Sequence, residues 1–225
     1  MQLSLRQCLL AEVLGTAILM IFGTGAAVVN EQTHALGHGG VAAAFGLVVF
    51  LLIQSLGESS GCHLNPAVTV GFWAAGRFPG RRVLPYVAAQ LAGAALGSAL
   101  VKLIATPGSN LGATLPAHGA LPALGIETFL TFGLMLVILR VTAGSKEVGM
   151  LAGLAISATV ALEALVAGPL TGASMNPARS LSPALLSGVW TDWWLYVVGP
   201  VAGALLAVAF DRLLQPKEPA ETPVA

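Results

Sequence analysis

The chain has 225 residues, 56% of them apolar and only 9% charged, with a mean hydropathy of +0.85. Ordinary soluble domains carry about 25% charged residues, so the composition argues against a soluble enzyme. Ten Lys/Arg balance ten Asp/Glu, which leaves no basic excess to neutralise a phosphate backbone and no case for nucleic acid or any strongly charged partner.

A hydrocarbon core about 30 Å thick takes about 20 helical residues to cross. Apolar runs of that order fall at about 8–29, 40–57, 83–105, 122–142, 148–168 and 193–214 and predict six spans through a lipid bilayer. The first follows Arg6 but is too long for a signal peptide and has no convincing small-residue cleavage site, so it stays a span. Two shorter apolar stretches, about 66–76 and 177–187, predict helices that cross half the membrane. The two cysteines, Cys8 and Cys62, form neither a disulfide framework nor a thiolate metal site and leave the redox compartment undecided. Residues 215–225 read as a polar tail.

Arg6, Arg77, Arg81, Arg82, Arg140, Lys146, Arg212 and Lys217 flank ends that six spans place on one side. The positive-inside rule makes that side cytoplasmic, with both termini there, as in a plasma (inner) membrane protein. The opposite loop, 106–121, has no Lys or Arg, and Lys102 alone breaks the asymmetry.

The chain also repeats itself. His63-Leu-Asn-Pro-Ala-Val-Thr69 opens the first short stretch and Ser174-Met-Asn-Pro-Ala-Arg-Ser180 the second, while Ala-Glu12-Val-Leu-Gly-Thr16 is echoed by Ile-Glu127-Thr-Phe-Leu-Thr131. Each half, about 8–105 and 122–214, is three spans plus a half-helix. Three is odd, so the second copy enters the membrane upside down, an inverted repeat with its substrate site near the midplane. The expected fold is an all-α integral membrane domain over 1–225, with six transmembrane helices plus two re-entrant half-helices.

Asn is a favoured N-cap, and Pro at the next position suits a first turn whose N–H is unpaired in any case. Asn65-Pro66-Ala67 and Asn176-Pro177-Ala178 therefore start helices. Non-helical backbone inside a bilayer survives only where protein covers it or a wet cavity solvates it, so the approach peptides with Gly61, Cys62, His63, Ser174 and Met175 are expected to line a pore. Two helix N-termini meeting at the midplane repel a cation. Neutral hydroxylic molecules instead accept from the Asn65 and Asn176 amides and donate to the approach carbonyls. One such tripeptide is weak evidence; two at matching places in a repeat predict a paired constriction.

At these residues the chain resembles the aquaporin and aquaglyceroporin family, the major intrinsic proteins, from Ala11 to about Arg212. Gly76-Arg-Phe-Pro79, Tyr86-Val-Ala-Ala-Gln90 and Ala167-Gly-Pro-Leu-Thr-Gly-Ala-Ser-Met-Asn-Pro-Ala-Arg-Ser180 match as well, the last especially like the nodulin-type branch of plants and its bacterial relatives. The resemblance implies a homotetramer with one pore per subunit, and passage of water, glycerol or metalloid hydroxides. It further implies an aromatic/arginine selectivity filter. Counting from the motif asparagines places this at Phe45, Ala164, Ala173 and Arg179, which departs from the water-selective pattern (His in span five) and from the glycerol-facilitator pattern (Trp in span two, a second aromatic in the loop). Two alanines imply a wider filter.

Arg179 is too costly within membrane depth to be casual and is expected to bind solute oxygen and repel cations; a snorkelling packing role is the alternative. Glu12 and Glu127 occupy equivalent places inside spans and are expected to brace the re-entrant loops, with solute contact or proton relay as the lesser alternative. Glu163, next to Ala164, has three readings: a partner of Arg179 or loop backbone, a pore-lining group, or a protonated buried side chain. His63 is read as lining the cytoplasmic vestibule or as a satisfied interior histidine, and Cys62 as facing the pore mouth or as a small buried residue. His34 and His38 are placed in the outer loop before span two, without the ligand pattern of a metal site. Trp190, Trp193 and Trp194 suit an interfacial belt. No nucleophile, metal spacing or phosphate loop stands out, so neither enzyme nor cofactor is expected. The leading reading is a passive channel for water and small neutral solutes such as glycerol and arsenous or boric acid, excluding protons and ions. The alternative is a proton-coupled secondary transporter of a small polar solute using Glu163.

Overall fold

Ser4 begins the first helix with a capping box: its hydroxyl accepts from the Gln7 N–H while the Gln7 side chain accepts from the Ser4 N–H. The structure, a computed structural model, describes residues 4–215, so all of the predicted tail at 215–225 beyond Gln215 lies outside the described residues. Helices follow as α1 (Leu5–Thr33), α2 (Gly37–Ser60), α3 (Pro66–Ala74), α4 (Val83–Lys102), α5 (Ala120–Val141), α6 (Lys146–Met150), α7 (Ala152–Thr171), α8 (Pro177–Ser187) and α9 (Leu195–Leu213). Six of them, α1, α2, α4, α5, α7 and α9, are long and apolar enough to span a membrane, and α3 and α8 are the two half-helices.

Two sequence expectations shift. The second span starts at Gly37, so His38 lies in the first turn of α2 and not in the loop. The fifth run splits: Ser145 caps the short α6 and α7 starts afresh at Ala152.

The three spans of each half pack in the same way. α1 lies against α2 and α4, α5 against α7 and α9, and α2 meets α7 between the halves. Close approach at the α1–α4 and α5–α9 crossings depends on glycine, since a Cβ on Gly93 would sit 2.3 Å from the Val13 carbonyl oxygen and one on Gly203 2.2 Å from that of Thr128. Small residues at such crossings replace the hydrophobic drive that lipid cannot supply. α3 packs on α9 and α8 on α4, so each half-helix docks against the last span of the other half, and the two N-termini point at each other across the centre. On the side carrying the chain termini, buried Asp211 of α9 lies 3.5 Å from both Arg77 and Arg140, and Arg77 also donates to the Leu139 carbonyl at 2.8 Å. Large apolar side chains such as Phe22, Leu47, Leu51, Phe129 and Leu162 face outward, as a bilayer requires.

Candidate functional site: the path between the half-helices

Asn65 and Asn176 both sit in extended backbone ahead of a proline and cap their helices. The side-chain Oδ1 of Asn65 accepts from the Ala67 N–H at 2.9 Å, and that of Asn176 from Ala178 at 3.0 Å and Arg179 at 3.3 Å. Each amide then crosses the centre. Asn65 Nδ2 donates to the Met175 carbonyl at 2.7 Å and Asn176 Nδ2 to the Leu64 carbonyl at 2.9 Å. An amide has two N–H groups, so each keeps a second donor beside the cavity that both residues line.

The approach peptides reach these positions through one backbone pattern used twice. φ is positive at Gly61, Cys62 and Leu64, and again at Gly172, Ala173 and Met175. Left-handed geometry at non-glycine residues costs about 1–3 kcal/mol each and persists only where the surroundings hold it. Glu12 and Glu127, both fully buried, do the holding. Glu12 accepts from the Ser60 hydroxyl (2.6 Å), the His63 and Leu64 N–H groups (2.9 and 2.8 Å) and Gln90 Nε2 (2.8 Å). Glu127 accepts from the Thr171 hydroxyl (2.7 Å) and the Ser174 and Met175 N–H groups (2.9 and 2.8 Å). Tyr86 donates to the Ser60 carbonyl and Tyr196 to that of Thr171, which completes the correspondence.

Two cavities lie along this axis. The larger, of about 490 Å³, opens toward the side of the termini; the other, of about 340 Å³, opens on the far side. They share four lining residues: Phe45, Ala164, Ala173 and Arg179. The four positions counted from the motif asparagines thus stand together at the neck between the cavities. The Arg179 guanidinium carbon is 5.1 Å from the Phe45 ring centroid, within cation–π range. Its Nη1 donates to the Gly112 carbonyl at 2.7 Å, while its Nε is buried without a partner among the described residues.

Gly112 belongs to a stretch with no feature in its sequence that places it at the centre. The loop between α4 and α5 folds back into the bundle, with the Thr114 hydroxyl donating to Ser180 at 2.7 Å and the Ala117 N–H to the Leu170 carbonyl at 2.9 Å. The only local signal is glycine where φ is +69°.

Residues 1–210 match the family described as Major intrinsic protein. The chain belongs to that family. It is 45% identical over 201 residues to "Aquaporin NIP1-1" of Zea mays, covering 88% of this chain and 71% of that protein. To "Aquaporin NIP6-1" of Arabidopsis thaliana it is 40% identical over 221 residues, covering 98% and 72%. Among solved structures it resembles the aquaglyceroporin from Plasmodium falciparum, with a TM-score of 0.81, 28% identity and coverage of 92% of this chain and 95% of that one. The nodulin-type likeness read from the second motif is thereby supported, and the protein is a passive channel for water and small solutes, not an enzyme.

Within this channel Gly61, Cys62, His63, Ser174 and Met175 all line the larger cavity. His63 is also well packed, with ring centroids of Phe72 and Phe78 each 4.8 Å away and Nδ1 3.1 Å from the Thr69 hydroxyl, so the lining and interior readings both describe it. Cys62 likewise lines the cavity while nearly buried. Ser174 joins the second loop to α8 through the Ser180 hydroxyl and the Asn176 carbonyl.

Glu163 corrects the sequence reading. It lines neither cavity, and among the described residues it forms no ion pair with Arg179 and no bond to loop backbone. One turn position is about 100° of rotation, which carries its carboxyl away from the neck to the α5 side, where a Cβ on Gly133 would meet it at 2.8 Å. Of the three readings the interior side chain is the one left, half-buried with Oε2 buried and without a partner among the described residues, and the proton-coupled transporter loses the carboxylate it needed on the path.

Proposed function

We propose that the neck of Phe45, Ala164, Ala173 and Arg179 is the selectivity filter, and that it passes glycerol and small neutral hydroxides such as boric and arsenous acid as well as water. The observation that carries this is the neck's composition. Of the four residues shared by the two cavities, two are alanines, one is aromatic and one is a fixed cation. Phe45 supplies an apolar wall for a carbon backbone, and the Arg179 guanidinium, which lines both cavities, supplies donors to the solute's hydroxyl oxygens. The free N–H groups of Asn65 and Asn176 bind the solute again at the centre. Cations and protons meet the Arg179 charge and then the positive ends of α3 and α8, each in a medium that screens weakly.

The basic residues Arg77, Arg81, Arg82, Arg140 and Arg212 on the side of the termini support a cytoplasmic location for both ends in a plasma (inner) membrane. Outward apolar faces on α1, α2, α5 and α7 suit both lipid and neighbouring copies, in keeping with a homotetramer of four separate pores. The test is solute-driven reswelling of proteoliposomes, followed by light scattering, in glycerol and then in boric acid. The filter reading expects both to enter well above the rate of empty vesicles. Glycerol entry equal to that of empty vesicles contradicts it.

A further inference from the structure

His38 carries no role in the filter by its sequence position, yet its side chain reaches across to α7. Its Nε2 lies 2.7 Å from the Leu165 carbonyl oxygen, 127 residues away. A carbonyl only accepts, so Nε2 carries the proton and donates.

Three residues on α7 prepare that contact. In a regular helix the Leu165 carbonyl would accept from the N–H four residues on, but residue 169 is proline and has none. Gly168 leaves the space in which the imidazole lies, since a Cβ there would stand 2.5 Å from His38 Cε1. Leu165 itself follows Ala164, a neck residue, and His38 lines the far-side cavity together with the whole neck. The start of α2 is fixed in turn by the Asn30 side chain of α1, which accepts from the Gly37 N–H at 2.8 Å. The imidazole is thus anchored at its own end and matched to a vacant acceptor at the other.

We propose that His38 is a positioning residue for solute selectivity: by donating to the carbonyl that Pro169 leaves vacant, it holds the α7 wall at Ala164 and fixes the width of the neck. The inference rests on the neck being the filter. Without that bond the Leu165 carbonyl turns to water in the vestibule, the α7 backbone relaxes at Ala164, and discrimination between polyols of different size falls.

The experiment compares glycerol and erythritol permeability in proteoliposomes. His38→Met keeps much of the volume and removes the donor; His38→Gln keeps an N–H of similar reach. His38→Met should raise the erythritol-to-glycerol ratio by about fivefold, the factor a single neutral hydrogen bond carries, and His38→Gln should leave it near wild type. Adding Pro169→Ala to His38→Met returns an N–H to the Leu165 carbonyl from within the helix and should restore the wild-type ratio. A role that is only bulk at the vestibule wall would not be rescued in this way. If His38→Met does not assemble, His38→Asn, whose amide stops short of the carbonyl, replaces it in both arms. An unchanged ratio on loss of the donor overturns the proposal, and so does a changed ratio that Pro169→Ala fails to restore. Wild-type glycerol flux over empty vesicles, measured alongside, tests the filter reading separately.

Discussion

Gly23 on α1 faces the flat of the Phe45 ring, and the space between them decides how far the ring stands from Arg179. A Cβ built on Gly23 would lie 2.4 Å from Phe45 Cε1, 2.7 Å from Cδ1 and 2.9 Å from Cζ. Carbon atoms pack best at about 3.5–4 Å, so Gly23→Ala pushes the ring by about 1 Å. The displacement is away from α1, toward the neck. Overpacking of this kind costs about 1–3 kcal/mol, and the side chain yields more readily than the α1 backbone. A solute as wide as glycerol then meets a barrier that water, with a smaller cross-section, partly escapes. We predict about a tenfold loss of glycerol permeability, equivalent to about 1.4 kcal/mol in the barrier, and a smaller loss for water. Stopped-flow light scattering on proteoliposomes measures both in one preparation. Adding Phe45→Leu removes the clashing ring atoms and should recover glycerol flux in the Gly23→Ala background. A folded Gly23→Ala protein with an unchanged glycerol-to-water ratio would refute the reasoning, as would failure of Phe45→Leu to restore flux.

Other perturbations follow from the same contacts. Glu12→Ala strands four buried donors and Glu127→Ala three; at about 1–3 kcal/mol for each unsatisfied group neither should yield folded channel, and size-exclusion profiles in detergent show whether either does. Gly93→Ala and Gly203→Ala each drive a methyl into a helix backbone and should lower the thermal midpoint in detergent by several degrees, with solute selectivity kept if the protein is assayed below that midpoint. Arg179→Val removes the filter charge and should raise proton leak, read with a pH-sensitive dye inside the vesicles, while widening the neck to glycerol; an unchanged leak would remove Arg179 from the barrier.

What the sequence made legible was local signal used twice. Asn-Pro-Ala announces a helix start wherever it occurs, and its repetition at matching places gave both half-helices to within a residue or two of α3 and α8. The family resemblance, counted from the two motif asparagines, implied Phe45, Ala164, Ala173 and Arg179, and these four residues line both cavities at the neck. Glu12 and Glu127 could be expected to brace loops because a buried carboxylate demands donors, and Ser174, Met175, His63 and Leu64 provide the N–H groups that do so.

The rest depends on tertiary placement. Gly112 reaches Arg179 because a loop folds inward, and nothing in a stretch without Lys, Arg, Asp or Glu says which way it folds. His38 donates to a backbone carbonyl whose vacancy is created by Pro169, so only the docking of α2 on α7 brings the two together. Glu163 sits beside the filter in sequence but one helical position rotates it onto Gly133. The capped turn at Ser145 was hidden because Val148, Met150 and Leu151 continue the hydropathy of the fifth span without a break.

The most direct test of the whole account is to follow glycerol and protons in the same wild-type vesicles, with light scattering for the solute and an internal pH dye under an imposed pH gradient. Fast glycerol reswelling, independent of the gradient and with proton flux no higher than in empty vesicles, is the predicted result. Glycerol flux that rises with the proton gradient and carries protons with it would contradict a passive neutral-solute channel.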